Sequence, residues 1–286
     1  WNLENLHHGL RLILVGLFKK LFVADNCALL ANYAFDGKTH LNAPWAVFGV
    51  VAFAFQIYGD FSGYTDIARG SARLLGIELS RNFRFPYLAR GPSDFWQRWH
   101  ITLSSWFRDY VYIPLGGNRG TPRQTLRNLW ITMVLAGLWH GANWTFLLWG
   151  AYHGTLLVCY RVVPGLQRLE SSPGLWPRRV SIAVMFFFTL VGWAVFRANT
   201  FPQLADWFLA LGRGTMTGTV PLGKPLAWLA LHVTPLLLLQ WATRHAGDEA
   251  ETSPLPWPVR GLAYALMFAA VASSTAGEQE FIYFQF

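Results

Sequence analysis

Two histidines, His140 and His153, stand in Ala136–Gly154 (AGLWHGANWTFLLWGAYHG), a stretch with no charged side chain. Imidazole changes charge nearest neutral pH and serves as a general acid or base. In apolar surroundings without a counter-charge it is held neutral, because burial disfavours the cation. A neutral imidazole can take a proton from a hydroxyl group at physiological pH. His140 is the stronger candidate. It follows Trp139 and precedes Gly141, where the missing Cβ lets a backbone or substrate come close. The competing reading is a structural histidine bonded to a neighbouring helix. His153 lies thirteen residues further on, about 20 Å along a straight helix. It is therefore expected to pack between helices, apart from His140 unless the segment folds back.

A third histidine, His100, sits in FWQRWHITLSSWFRDY, residues 95–110. Helical spacing puts Trp96, Trp99, His100, Leu103, Phe107 and Tyr110 on one face, with Arg98, Thr102, Ser105 and Asp109 on another. A histidine on an aromatic face is more commonly a core residue than a catalyst, so both readings stay open. Asp66 and Arg69, three residues apart, are expected to pair on a helix. His7 and His8 read as an interfacial pair. The ordinary enzyme signatures are missing from the sequence: no P-loop, no dinucleotide fingerprint, no His-Glu-x-x-His, no Cys-x-x-Cys. Gly59–Gly63 approaches a nucleophile elbow, but its serine is one place out of register. Gly116–Gly120 reads as a turn. Asn143–Thr145 matches a glycosylation sequon inside an apolar stretch.

The elements that must position these groups follow from composition. Of 286 residues, 53% are hydrophobic and 13% charged, with 15 Trp and 22 Phe. That charged share is about half the usual one for a soluble domain, and the aromatic load suits belts at two membrane–water interfaces. Net charge is +8. Its arginines lie between hydrophobic stretches, so the lipid bilayer is the expected partner and nucleic acid is not. Cys27 and Cys159 read as small packing residues.

Charge-free stretches mark the expected crossings: Thr39–Gly59, Asn128–Tyr160, Val180–Phe196, Pro225–Thr243 and Gly261–Gly277. Asn128–Tyr160 has 33 residues, about 50 Å as one helix, too long for an upright crossing of a ~30 Å core. It is expected to tilt strongly or to break near His140–Asn143. Pro235 is expected to kink its helix. Leu10–Ala34 reads equally as an interfacial amphipathic helix or a crossing. Asp60–Arg127, with ten Arg and five acidic residues among many aromatics, suits helices inside a bundle or re-entrant pieces lining a cavity. Ile113–Pro122 is a surface turn, and Ser171–Pro177 and His245–Pro258 are polar loops. The expected fold is an all-α polytopic integral membrane bundle with five to seven membrane segments. Residues 1–286 form a single domain that reads as the C-terminal part of a longer chain.

Several stretches, taken together in order, carry a resemblance: YGDFSGYTDIARG (58–70), NFRFPY (82–87), FWQRWHITLS (95–104), FRDY (107–110), IPLGG (113–117), LWHG (138–141) and the ending FIYFQF (281–286). The chain resembles the membrane-bound O-acyltransferase (MBOAT) family, most closely the branch concerned with bacterial alginate O-acetylation. The resemblance implies an enzyme of the bacterial inner membrane, multi-pass and N-terminally truncated here, that moves an acetyl group onto hydroxyls of an exported polysaccharide, alginate first among them, or onto a relay protein. It places the two functional histidines of the family on His140 and His100. Asn143, Trp139 and Arg98 are the substrate-binding candidates. No tightly bound cofactor or metal is implied; an acetyl thioester is the co-substrate, and a periplasmic acetyltransferase is an implied partner. The rival class is a transporter or flippase for an acyl carrier or glycan, since buried histidines also serve proton relays. A third is a scaffold anchoring a soluble acetyltransferase.

Overall fold

The structure, a computed structural model, describes residues 2–36, 41–213, 221, 223–246, 248 and 256–274. The ending Phe281–Phe286, the last residues of the expected Gly261–Gly277 crossing, the start of Thr39–Gly59 and most of His245–Pro258 lie outside them. The described residues are mostly helical and fall into two compact units, 82–205 and the flanking 1–81 with 206–286.

In the flanking unit, α1 (Leu3–Leu17) starts at Asn2, whose side chain accepts from the Glu4 N–H at 2.9 Å. A π-helical turn, Phe18–Ala24, leads into α2 (Asp25–Phe35). Both pack on α3 (Ala43–Leu74), a 32-residue helix. The expected Thr39–Gly59 crossing therefore does not stop at Gly59. The helix continues through Asp60, Asp66 and Arg69 because each of these charges finds a partner. Lys19 bonds Asp66 at 2.7 Å, Lys20 bonds Asp60 at 2.7 Å and Asp25 at 2.9 Å, and Arg69 bonds Asp66 at 3.0 Å. Asp248 receives both Arg69 and Arg81 at 3.0 Å. Buried charges persist in apolar surroundings when paired in this way. Ser62, of the elbow-like Gly59–Gly63, is buried inside α3.

Helices α1 and α3 touch backbone to backbone. A Cβ on Gly16 would lie 2.6 Å from the Gly63 carbonyl oxygen, and one on Gly70 would lie 2.6 Å from that of Gly9. Seven-residue spacing on both helices keeps the small residues on one seam, the usual device where helices associate in lipid.

Unit 82–205 contains α4 (Pro92–Trp96), α5 (Ile101–Phe107), α6 (Pro122–His140), α7 (Trp144–Val162), α8 (Pro164–Ser171) and α9 (Leu175–Arg197). Helix α10 (Phe201–Ala210) leads back to the flanking unit, completed by α11 (Gly223–Thr243) and α12 (Trp257–Ala272). Thr121 and Gln124 start α6 with a capping box. The expected break in Asn128–Tyr160 is present: α6 ends at His140 and α7 starts after Asn143. Helix α11 runs on through Pro235 as one helix. Helices α7 and α8 meet at 86°.

Helices α3, α9 and α11 are long and apolar enough to cross a membrane, and α7 with α8 makes a fourth if that bent pair is one span. This is fewer among the described residues than the five to seven segments expected. Helices α1, α2 and α12 have 15, 11 and 16 residues, and α6 carries Arg123 and Arg127 near its start. The chain is a multi-pass membrane protein.

Candidate active site

His140 is the last residue of α6 and is half-buried. Its ring is clamped on several sides at steep angles. Trp139 lies 5.1 Å away at 78°, Trp149 5.2 Å away at 89°, and Phe196 of α9 5.1 Å away at 90°. Edge-to-face contacts of this kind fix a ring's orientation. Helices α6 and α7 come close enough to form the clamp because Gly137 and Gly150 face each other. A Cβ on Gly137 would strike the Phe146 carbonyl oxygen, and one on Gly150 that of Met133.

His100 does not lie on one continuous helix with Trp96 and Phe107, as helical spacing suggests. Helix α4 ends at Trp96, and His100 has φ 43 and ψ 56, in the left-handed region. The cause is non-local. Asn82 accepts from Ile101 N–H through its backbone carbonyl at 2.9 Å, and from the Thr102 N–H (3.1 Å) and hydroxyl (2.6 Å) through Oδ1. Arg84 N–H donates to the Arg98 carbonyl at 3.0 Å. The 82–85 segment thus holds 98–102 out of helical register and turns His100 away from the expected face. A non-glycine residue in this region is uncommon and is a feature associated with functional sites.

The two histidines are neighbours electrostatically. Burial pushes His140 down to about 4, and the charge of His100 lowers it further within that shift. Burial likewise pushes His100 down to about 4. Both are therefore neutral at physiological pH.

The other predicted residues divide. Trp139 is half-exposed and lies against His140. The Asn143 amide is engaged at both ends: Oδ1 accepts from Thr145 N–H at 3.2 Å as the cap of α7, and Nδ2 donates to the Asn199 carbonyl at 3.0 Å. The same engagement occupies the sequon asparagine. Arg98 bonds Asp94 at 2.5 Å, one helical turn away. His153 is 2% exposed. It does not stand a straight-helix length from His140, because the chain reverses at Gly141–Asn143. One indole, Trp149, touches both rings, 5.2 Å from His140 and 4.9 Å from His153.

Sequence reasoning missed Trp149, Phe196 and Asn82. Trp149 had a signal: it is four residues before His153 and three after Phe146, so the three share a helix face. Phe196 and Asn82 act across the tertiary structure, where no local spacing reports them.

Residues 1–200 match the family model of MBOAT, the membrane-bound O-acyltransferase family. The chain is 35% identical to a probable alginate O-acetylase AlgI of Pseudomonas putida, over 99% of this chain and 62% of that protein. It is 45% identical to the probable alginate O-acetylase AlgI of Azotobacter vinelandii, over 69% of this chain and 38% of that one. It is 41% identical to a peptidoglycan O-acetyltransferase of Helicobacter pylori, over 69% and 37%. The chain thus spans less than two thirds of the length of each of these relatives.

Proposed function

The chain belongs to the membrane-bound O-acyltransferase family, and from that premise we propose that the full-length protein transfers acetyl from a thioester donor to hydroxyls of an exported polysaccharide. Alginate is the favoured acceptor, a relay protein the alternative route, and the bacterial inner membrane the location. The relatives from Pseudomonas putida and Helicobacter pylori are both named for O-acetylation of polymers, which supports polysaccharide as the class. In this reading residues 1–286 work as one catalytic domain of a longer chain, with a periplasmic acetyltransferase as a protein partner.

The observation that carries the reading is the placement of His140 at the α6–α7 break, half-buried with its ring clamped by Trp139, Trp149 and Phe196. His140 is the general base. It takes the acceptor hydroxyl proton as oxygen attacks the thioester carbonyl, and returns it to the departing sulfur. The proton affinity of the resting imidazole is low, so the imidazolium forms only alongside negative charge on the tetrahedral oxygen. His100 orients the acceptor or holds the donor. Trp139 forms the exposed wall of the site. Arg98 and Asn143 support it through Asp94 and the α7 cap.

Purified full-length protein in detergent, given an acetyl thioester and an uronate oligosaccharide, is expected to form acetyl esters detectable by mass spectrometry. A transporter has no compartments to act between in detergent, so donor-dependent ester supports the enzyme. Activity that appears only in sealed vesicles contradicts it.

A further inference from the structure

Around Trp149, which contacts His140, three buried polar atoms have no hydrogen-bond partner among the described residues: Nε1 of Trp96, Nε1 of Trp149 and Nδ1 of His153. Trp149 and His153 are each 2% exposed. The three rings are in mutual contact, with centroids 5.7 Å apart for Trp96–Trp149, 5.2 Å for Trp96–His153 and 4.9 Å for Trp149–His153. Phe95 stacks on His153 at 6.3 Å and 8°. On α9, a Cβ at Gly192 would come within 2.7 Å of His153 Nε2, so the imidazole fills the space that a side chain there would need.

Packing alone does not account for these atoms. Leaving a buried donor unsatisfied costs the full desolvation of that group. Phenylalanine at 96 and 149 would supply similar ring contacts without that cost. Unpartnered groups of this kind are few in native proteins, and a catalytic role is one of the explanations they admit. Their chemistry is selective. An indole N–H can only donate, and an imidazole nitrogen can donate. Together they suit an oxygen that accepts hydrogen bonds and gains negative charge, and they do not suit a cation.

We propose that Trp96 Nε1, Trp149 Nε1 and His153 Nδ1 hold the carbonyl oxygen of the acyl donor during transfer. This rests on His140 as the base, one ring away across Trp149. The acceptor oxygen bonds to the acyl carbon while the C=O π electrons move onto the carbonyl oxygen and the hydroxyl proton passes to His140. The tetrahedral centre then collapses: C=O reforms, the C–S bond breaks, and the proton goes from His140 to the leaving sulfur. The trio is closed to solvent in this structure, so the donor oxygen reaches it as the Trp149 ring turns. That ring also bounds His140, so the oxygen site and the base share one wall. The surrounding Phe95 and Phe196 make the space around the acyl carbon dry and apolar, which strengthens hydrogen bonds to the oxyanion.

The test uses the full-length enzyme and the variants Trp149→Phe and Trp96→Phe, which remove an N–H and keep an aromatic ring. Each is expected to lower kcat about 100-fold, with KM and thermal midpoint little changed. A donor analogue with a methylene in place of the carbonyl should inhibit wild type and variants equally, because it has no oxygen to hold. His153→Asn, which retains a nitrogen near the Nδ1 position, should keep more activity than His153→Leu. If both phenylalanine variants stay within about threefold of wild-type kcat while His140→Ala is inactive, the oxygen site is overturned and the base assignment stands. If His140→Ala is active, the reading under Proposed function fails and takes this one with it.

Discussion

An imidazole that gains its proton only near pH 4, as burial dictates for His140 and His100, has consequences for pH that a surface histidine lacks. At pH 5.5 an ordinary histidine is about nine-tenths protonated. The acid limb of kcat/KM for the full-length enzyme is therefore expected near pH 4, with the rate at pH 5.5 within about twofold of that at pH 7.5. A tenfold loss at pH 5.5 would contradict a buried neutral base. Stability follows the same linkage. The folded pKa lies below the unfolded one, so the unfolded chain binds protons first as pH falls. The full contribution is present above 6.5, is lost between 6.5 and about 4, and then levels off. A thermal midpoint that stays flat across that window contradicts it. At this scale the sequence was informative about His140, because an uncharged stretch around a titratable residue is visible in one dimension. His100 was half legible. Its aromatic neighbours showed, whereas its left-handed backbone depends on Asn82, eighteen residues away.

Among the elements, the α6–α7 hairpin sets the site. The length of Asn128–Tyr160 predicted a break, since about 50 Å of helix has no place upright in a bilayer, and the break falls at Gly141–Asn143. The sequence did not reveal that the two arms would close on Gly137 and Gly150, because seam glycines are indistinguishable from other helical glycines until a partner is known. Gly150→Ala places a methyl group against the Met133 carbonyl oxygen and Val134 Cα. Backbone cannot yield there as a flexible side chain would, and overpacking costs about 1–3 kcal/mol. The full-length variant should show a lower thermal midpoint and a lower transfer rate, as the Trp149 edge moves off His140. Unchanged activity and stability would mean that the helices are free to part. Continuous helical spacing over residues 95–110 was misleading for the converse reason. The pattern is real, but Asn82 and Arg84 outcompete it for the backbone at 98–102.

Over the whole molecule, composition identified a membrane protein, yet it did not foresee that α3 would carry charges along a single 32-residue helix. Charge-free windows end a span at the first aspartate, whereas the fold extends it where Lys19 and Lys20 answer Asp66 and Asp60. Losing Lys19 takes one of two cations from buried Asp66, which keeps Arg69, so the cost is a part of the about 3–5 kcal/mol of a fully unpaired buried charge. Lys19→Met in the full-length protein should therefore lower the thermal midpoint, and Lys19→Met with Asp66→Asn, which leaves Arg69 its Asp248 partner, should restore part of it. Equal loss in the single and double variants would show that the pair is not coupled. The function of the intact protein turns on one comparison. Full-length wild type and His140→Ala, matched for insertion and folding, are assayed for acetyl ester formed per enzyme from a thioester donor. General-base catalysis contributes about 10²–10⁴-fold, and a loss in that range is expected with the protein still folded; transfer of acetyl by His140→Ala at the wild-type rate would rule out His140 as the base.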